Sequence, residues 1–296
     1  MIEINATVIK GLRERTGAGV MDCKKALVET QGDLEAAVDR LRAAEISKAA
    51  KKVDRVAAEG LVSLVVAGAR GAIAELNTET DFVARTPAFQ NAAAAFAGAA
   101  LSVHGDHGAL LNAPAPDGDG RISDAIARLT ARTGEHIHLR RSAFVSVIHG
   151  FVASYVHSAA GPGLGRIGVL VALESQGHAD ALLEIGRKIA MHVAASSPLW
   201  VSREDIPTDV VSEKRAALIE QAHTAGKPPE IVEKMVEGRM RKFYEEVVLS
   251  LQPFVLNPEK RVDQALKEAE EAAGVAIAIK AFVRFRIGEG IEKRAE

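Results

Sequence analysis

The chain has 296 residues with 39 acidic and 37 basic side chains, and its formal net charge of −2 lacks the basic excess of a general nucleic-acid-binding protein. Its single cysteine excludes an internal disulfide and a multi-cysteine metal site, and favours a reducing compartment. The N-terminus lacks the apolar stretch of a signal peptide, and the longest apolar run is far short of the ~18 residues that span a bilayer, so we expect a soluble, cytoplasmic protein without a membrane contact.

Residues 1–43 predict three short helices around a small core. Apolar residues recur at helical spacing, with Leu12 on the first helix, Cys23 and Leu27 on the second, and Val38 on the third. A module of this size is near the lower limit for an unsupported core and is more typical of docking than of catalysis. The Ala- and Lys-rich stretch that follows predicts a solvated helical linker.

The next part of the chain predicts a repeated pattern of strand pair and helix. Residues 60–77 read as two apolar strands joined by a tight turn, and an Ala-rich helix follows to about Val103. A loop at 113–121 and a further helix lead to an alternating strand. A second strand pair at 150–175 is again followed by an Ala-containing helix at 179–196, which indicates an internal duplication.

From residue 209 the chain becomes helical again. Two amphipathic stretches separated by "GKPPE" predict an antiparallel helical hairpin, because Pro228 and Pro229 end one helix and can begin the next. Residues 261–274 then predict a short helix, and residues 275–288 alternate as a strand that would join a sheet.

The histidines and the cysteine do not form a convincing reactive centre. His136 and His138 share one face of an alternating strand, but no cysteine or carboxylate cluster accompanies them, so a surface pair is favoured over a metal site. Cys23 could be activated by the neighbouring lysines, but its helical spacing from Leu27 favours a small apolar side chain in the core.

Two glycine-containing segments resemble ligand loops only superficially. "GPGLGRIG" (161–168) would need a helix after it to bind a dinucleotide, whereas a strand follows, which favours a hairpin turn. "DGDGR" fails as a calcium loop because Arg121 and Arg128 occupy ligand positions. The residues therefore predict a binding protein without cofactor, metal or covalent chemistry of its own.

Phe82 is the first aromatic residue in the chain and lies in the polar stretch "LNTETDFVARTPAFQ". One interpretation is a residue at a helix start that packs on the preceding strand pair. The other is an aromatic anchor offered to a partner protein at a corner of the fold. Spacing alone favours the first interpretation.

Several motifs together resemble one protein family over nearly the whole chain. They are "LRERTGAGVMDCKKALVETQGDLEAAVDRLR", "NTETDFVAR", "IAMHVAAS", "GKPPEIVEKMVEGRMRKFYEE", "QPFV" and "FVRFRIGEGIEK". In this order they resemble bacterial elongation factor Ts, the guanine-nucleotide exchange factor of elongation factor Tu. The first motif and the "TDFV" stretch are the most specific.

The resemblance implies an α+β fold with a defined domain plan. A helical module like a ubiquitin-associated domain, with its linker, would span residues 1–55. A core of two related subdomains would follow, the first at 56–141 and the second at 142–207 and 251–296. The helical hairpin at 208–250 would be an insertion that contacts a partner or supports a homodimer or 2:2 complex.

The resemblance also implies which residues act on elongation factor Tu. Thr80, Asp81, Phe82 and Val83 would disturb the Mg²⁺ site of the GTPase, and His157 would reach its nucleotide-binding region. Docking of the N-terminal module would use a further set of candidate residues, namely Leu12, Val20, Met21 and Lys24. No direct nucleic-acid contact is implied.

The chain departs from the family pattern in three places. Thr78 stands where the family often has Cys, and the loop "SAAGPGLG" before "RIGVLV" looks longer than usual. The chain also ends soon after "GEGIEK", whereas some members continue into a further helical module, so we expect affinity to rest on the N-terminal module and the core. Two other classes remain open, a docking protein without exchange activity and an enzyme with a small-molecule substrate, although no convergent catalytic set supports the enzyme.

Overall fold

A computed structural model of the chain describes residues 4–177, 179–224 and 228–292. The helices are α1 (Ala6–Thr16), α2 (Val20–Glu29), α3 (Leu34–Ala50), α4 (Asp81–Ala84), α5 (Pro87–Ser102), α6 (His107–Asn112), α7 (Ile122–Thr133), α8 (Ala179–Ser196), α9 (Thr208–Thr224), α10 (Pro229–Val247) and α11 (Val262–Ala273), with 3₁₀ turns at Arg203–Asp205 and Leu249–Leu251. The strands are β1 (Glu59–Ala67), β2 (Arg70–Thr78), β3 (His138–Ser146), β4 (Gly150–Gly161), β5 (Leu164–Glu174), β6 (Pro253–Phe254), β7 (Asn257–Arg261) and β8 (Ala278–Arg286).

Helices α1 to α3 enclose a small core of their own. Leu12, Cys23, Leu27 and Val38 are buried in it, as the helical spacing of the sequence predicts. Gly17 ends α1 with a φ of 72°, a left-handed conformation in which glycine carries no steric penalty. The chain can therefore reverse at once into α2.

Helix α3 extends to Ala50, so the first part of the expected linker is helical, as predicted, but it is only partly solvated. Glu45, near the middle of α3, is buried. Arg42 pairs with Asp119, and Arg132 on α7 donates a hydrogen bond to the backbone oxygen of Thr16 over 3.1 Å. The Ala-rich face of α3 lets α7 approach closely, so the three-helix unit lies against the core.

In the described residues the main sheet has six strands, arranged as two half-sheets. The first half-sheet has β2 between β1 and β3, and the second has β5 between β4 and β8, with every pair antiparallel. The half-sheets meet where Val62 and Ser63 of β1 pair with Gly165 and Leu164 of β5. The chain thus repeats a strand pair, a helix and a third strand.

The two half-sheets pack face to face, with helices on the outside. On β2, Leu76 faces the cluster that contains Phe89 of α5, whereas Ile73 faces Val152 and Leu170 of the second half-sheet. This follows from the period of two along a strand. Both faces of the central strands are therefore buried, which accounts for their continuous apolar runs.

Helices α9 and α10 lie side by side and bury a small apolar cluster between them, which includes Val232, Val236 and Met240. Helix α10 begins at Pro229. Proline suits the first position of a helix because the backbone N–H it lacks would have no partner within the helix. The predicted break "GKPPE" spans residues 226–230, and its first two residues lie outside the described residues.

One local expectation needs correction, and two short elements were not predicted. The Gly-rich segment before "RIGVLV" is not a long loop, because β4 and β5 pair as far as Gly161 and Leu164, and only Pro162 and Gly163 form the turn. Helix α6 and the short β6–β7 pair were not predicted. Both are too short to show a clear periodicity.

Candidate functional site

Residues 78–86 connect the end of β2 to the start of α5, and we call them the Phe82 corner. The corner contains α4, a helix of a single turn. Val83 and Ala84 pack inward against the core of the first half-sheet, whereas the Phe82 side chain is 78% exposed. The interpretation of Phe82 as a core residue is therefore wrong, and the side chain is available to another molecule.

One carboxylate holds the start of this corner. Glu135, just after α7, accepts hydrogen bonds from the Thr78 hydroxyl at 2.7 Å, from the Thr80 hydroxyl at 2.6 Å and from the Thr80 backbone N–H at 2.9 Å. Burial alone would raise the pKa of Glu135, but the hydrogen bonds from Thr80 and Thr78 outweigh it, so the pKa lies below its ordinary value. The carboxylate is therefore ionised at neutral pH.

A second set of contacts joins the corner to the end of the linker after α3. The backbone N–H of His136 donates to Oε1 of Glu79 over 2.5 Å, and Arg55 Nη1 lies 3.4 Å from the same oxygen. The His136 ring nitrogen Nδ1 lies 2.8 Å from the backbone oxygen of Arg55. Because a carbonyl oxygen only accepts, Nδ1 carries the proton.

The far side of the corner is held by the start of α5. The Thr86 hydroxyl donates to the backbone oxygen of Val83 over 2.8 Å, and Thr86 caps α5 by accepting from the Phe89 N–H. Asp81 pairs with Arg85 one turn later over 2.5 Å. Both ends of the four-residue helix are therefore tied down around the exposed aromatic ring.

The face of α2 opposite its core side is a second exposed surface. Met21 is 74% exposed, and Val20, Lys24 and Val28 are also exposed. Leu12, which the resemblance groups with them, is only 1% exposed and lies in the core of the three helices. In this conformation Leu12 supports the surface and cannot form part of it.

His157 lies on β4 in the second half-sheet, in a different part of the fold from the Phe82 corner. It is exposed, pairs with Ile167 of β5, and its Nδ1 lies 3.4 Å from the hydroxyl of Tyr155. Ser158 follows with a φ of 52°, so the strand is irregular directly after the histidine. Because β4 continues beyond it to Gly161, His157 lies within the strand and not in the loop before "RIGVLV".

The remaining candidates have structural roles. Cys23 is fully buried, and desolvation raises the pKa of its thiol, which disfavours a nucleophilic thiolate. The rings of His136 and His138 stack at 6.0 Å, and within the described residues no three His, Cys, Asp or Glu side chains are grouped to hold a metal ion. No helix in the described part of the chain is long and apolar enough to cross a membrane.

Sequence reasoning missed Glu135, Glu79, Arg55 and His136 as supports of the site. Glu135 is 57 residues from Thr78 along the chain. Glu79 stands in the "NTETDFVAR" motif, but nothing in that motif marks it as a support, and Glu135 and Arg55 stand in none of the quoted motifs. A lone glutamate after a helix-ending glycine is a weak signal. The pairing of β3 with β2, in which His138 lies opposite Asn77, brings Glu135 and His136 to the corner.

The described residues thus form a mixed α+β protein with an exposed aromatic side chain at a tied corner, and aromatic side chains of this kind often anchor protein–protein interfaces. The family model described as "Elongation factor TS" matches residues 79–289. Elongation factor Ts of Parvibaculum lavamentivorans is 52% identical over 293 residues, covering 99% of this chain and 95% of that protein. Elongation factor Ts of Caulobacter sp. (strain K31) is 52% identical over 300 residues, covering 100% and 96%. The chain therefore belongs to the elongation factor Ts family and is a translation elongation factor.

Proposed function

We propose that this protein binds elongation factor Tu in its GDP-bound form and accelerates the release of GDP, so that GTP can replace it. The observation that carries the proposal is the 78% exposure of Phe82 on a corner held from both sides. A large apolar side chain gains free energy when a partner buries it. Because the corner is already ordered, little conformational entropy is lost on binding.

The proposed mechanism is displacement of the Mg²⁺ ion in the partner. Mg²⁺ requires nearly ideal octahedral geometry and bridges nucleotide phosphates to protein oxygens. The segment Thr80, Asp81, Phe82 and Val83, in which Phe82 is exposed and Thr80 and Val83 hold it from within, would act as a wedge that shifts the loop or helix supporting this geometry. The phosphate charge is then less well neutralised and GDP dissociates faster. This protein makes and breaks no covalent bond in the process.

Thermodynamics makes the effect reciprocal. If the protein weakens GDP binding by some factor, GDP weakens binding of the protein by the same factor. Ordinary coupling free energies are ~1–3 kcal/mol, and a tightly held nucleotide requires more. Rebinding of GTP then expels the factor from the complex, and the factor can act again.

The other exposed surfaces supply the remaining contacts in this proposal. Val20, Met21 and Lys24 on α2 dock the N-terminal unit, a ubiquitin-associated-like module at residues 1–55, and Leu12 supports that surface from within. His157 reaches the nucleotide-binding region from the second subdomain. We place the core subdomains at 56–141 and at 142–207 with 251–296, and the helical hairpin at 208–250 as a partner-binding or self-association element.

The alternative is a factor that docks on the GTPase or on the ribosome without exchanging nucleotide. It would use the α2 surface and the helical hairpin, and it would not depend on Asp81 or Phe82. We favour exchange because the exposed ring lies in the stretch that, by the resemblance, acts on the Mg²⁺ site, and because the corner that carries it is ordered.

Release of a fluorescent GDP analogue from elongation factor Tu at controlled Mg²⁺ tests the proposal. We expect strong acceleration by the wild type and a much weaker one by Phe82→Ala. The fold should be unaffected, since exposed substitutions change stability by about 0.5 kcal/mol or less. Phe89→Ala is the matched control for burial: Phe89 is 0% exposed, so its loss should cost ~3–5 kcal/mol of stability.

Two results would contradict the proposal in different ways. Binding of wild-type protein without acceleration would leave the docking function. Acceleration that survives both Phe82→Ala and Asp81→Ala would keep the exchange activity but move its origin to the α2 surface or to His157.

A further inference from the structure

Two consecutive residues after α7 hold three consecutive residues of the Phe82 corner. Glu135 accepts from Thr78 and Thr80, and the His136 N–H donates to Glu79, which lies between them. Thr78 is fully buried and cannot touch a partner in this conformation. The contacts at Thr78 and Thr80 are therefore internal supports of the corner.

The corner needs such supports because its helix has no stability of its own. Helix α4 has four residues, and helices this short are not stable in isolation because nucleation is unfavourable. Val83 and Ala84 anchor one side of it, but they do not fix the chain that enters it. The Glu135 carboxylate fixes that entry by holding both the backbone and the hydroxyl of Thr80.

The same segment also contacts the linker that leads to the three-helix unit. Nδ1–H of His136 donates to the backbone oxygen of Arg55, and the Arg55 guanidinium approaches Glu79. The position of the linker and the position of the corner are therefore set by one pair of neighbouring residues. The Phe82 corner is tied to this pair directly, and the α2 surface is tied to it through the linker, in addition to the contacts of the three-helix unit with Asp119 and Arg132.

We infer that Glu135 and His136 are positioning residues for nucleotide exchange. Glu135 orients the Phe82 wedge, and His136 holds the linker so that the α2 surface and the wedge engage one partner together. This inference rests on the proposed function. It assigns different kinetic effects to the two residues, because a wedge acts on the rate within the complex whereas a linked second contact acts on affinity through effective concentration.

The test measures release of the fluorescent GDP analogue from elongation factor Tu over a range of concentrations of the full-length factor. Glu135→Gln should lower the maximal rate about tenfold, the loss expected for one hydrogen bond to a charge, with the half-saturating concentration nearly unchanged. Thr78→Val should act in the same direction, and Thr78→Ser, which keeps the hydroxyl donor, should stay close to wild type.

The linker contact has its own matched pair of variants. His136→Ala removes the donor to Arg55 but keeps the backbone N–H, so it should raise the half-saturating concentration and leave the maximal rate close to wild type. His136→Asn can place its amide N–H near the position of Nδ1 and should restore the affinity. A purely structural role would change both kinetic parameters together with stability.

Amide hydrogen exchange gives a readout that does not need the partner. In Glu135→Gln the Thr80 amide should lose protection about tenfold, while amides in the β1–β2 ladder keep theirs. Unchanged Thr80 protection in Glu135→Gln, a wild-type maximal rate for Glu135→Gln and Thr78→Val, or an unchanged half-saturating concentration for His136→Ala would overturn the inference even if the wild type accelerates exchange. A wild type that does not accelerate exchange defeats the proposed function instead. Should Glu135→Gln not fold, the Thr78→Val and Thr78→Ser pair decides.

Discussion

A buried carboxylate on β2 provides the sharpest prediction about stability. The Glu75 side chain is 0% exposed and lies between the two half-sheets. It accepts from Arg140 at 3.0 Å, from Arg141 at 2.5 Å and from the backbone N–H of Gly288 at 2.9 Å. Gly288 follows the last strand of the second half-sheet, so one carboxylate joins both halves of the core.

The cost of removing this charge follows from its surroundings. Breaking one partner of a buried ion pair typically costs ~3–5 kcal/mol, because the remaining charge is left uncompensated. The side chains of Arg140 and Arg141 keep 25% and 31% exposure, and Arg141 lies 3.4 Å from a carboxylate oxygen of Glu289. Water and Glu289 would therefore compensate part of the charge of the arginines when Glu75 is replaced. We expect Glu75→Gln to lower the free energy of unfolding of the core by about 3 kcal/mol.

Urea unfolding followed by circular dichroism measures the change as a shift of the midpoint at constant slope. Glu184→Gln is the matched control, because it breaks an exposed pair with Lys188 on α8 and should cost less than about 1 kcal/mol. In a double-mutant cycle, Glu75→Gln with Arg141→Gln should cost less than the sum of the single changes.

Equal midpoint shifts for Glu75→Gln and Glu184→Gln would refute this reasoning. They would mean that the arginines find enough solvent without Glu75 and that the half-sheets are held by apolar contacts alone. Additive costs for Glu75 and Arg141 would likewise show that the two side chains do not act as a unit.

Two further predictions concern the buried histidine of α8 and a glycine contact between the half-sheets. His192 is buried and accepts from the Val255 N–H at Nδ1, and burial lowers its pKa against the opposing effect of Gln252. The folded state thus binds its proton less readily than the unfolded state, so stability should be full above the unfolded pKa of ~6.5 and decline as the pH falls below it. In denaturant titrations at pH 7.5 and 5.5, His192→Gln should lack this decline. An equal decline in both proteins would exclude His192 as its source. A Cβ on Gly168 would lie 2.7 Å from Val62, so Gly168→Ala should lower the free energy of unfolding by ~1–3 kcal/mol. Gly98 on helix α5 has open space around it, so Gly98→Ala should raise that free energy by ~0.5–1 kcal/mol. Thermal unfolding checks both, and a stabilised Gly168→Ala would contradict the close packing of the half-sheets.

Much of the architecture follows from local patterns in the sequence. Helical spacing predicts the core positions of Cys23 and Leu27, and alternation predicts that β8 joins a sheet. Expectations failed where a segment was short or where its environment decided the outcome. Helix α6 shows no period, and the Ala-rich end of α3 reads as a solvated linker although Glu45 within it is buried.

For the candidate site, the sequence by itself identifies the family and marks the "TDFV" stretch, because these signals lie in consecutive residues. It leaves two interpretations of Phe82 open, a core residue or an exposed anchor, because Phe82 and Phe89 both lie at the edge of an apolar helix. Tertiary structure decides between them: the sheet buries Phe89 and leaves Phe82 in solvent. It also brings Glu135 and His136 to the corner from 57 residues away, because hydrogen-bond partners that meet only through the pairing of β3 with β2 leave no local trace in the chain.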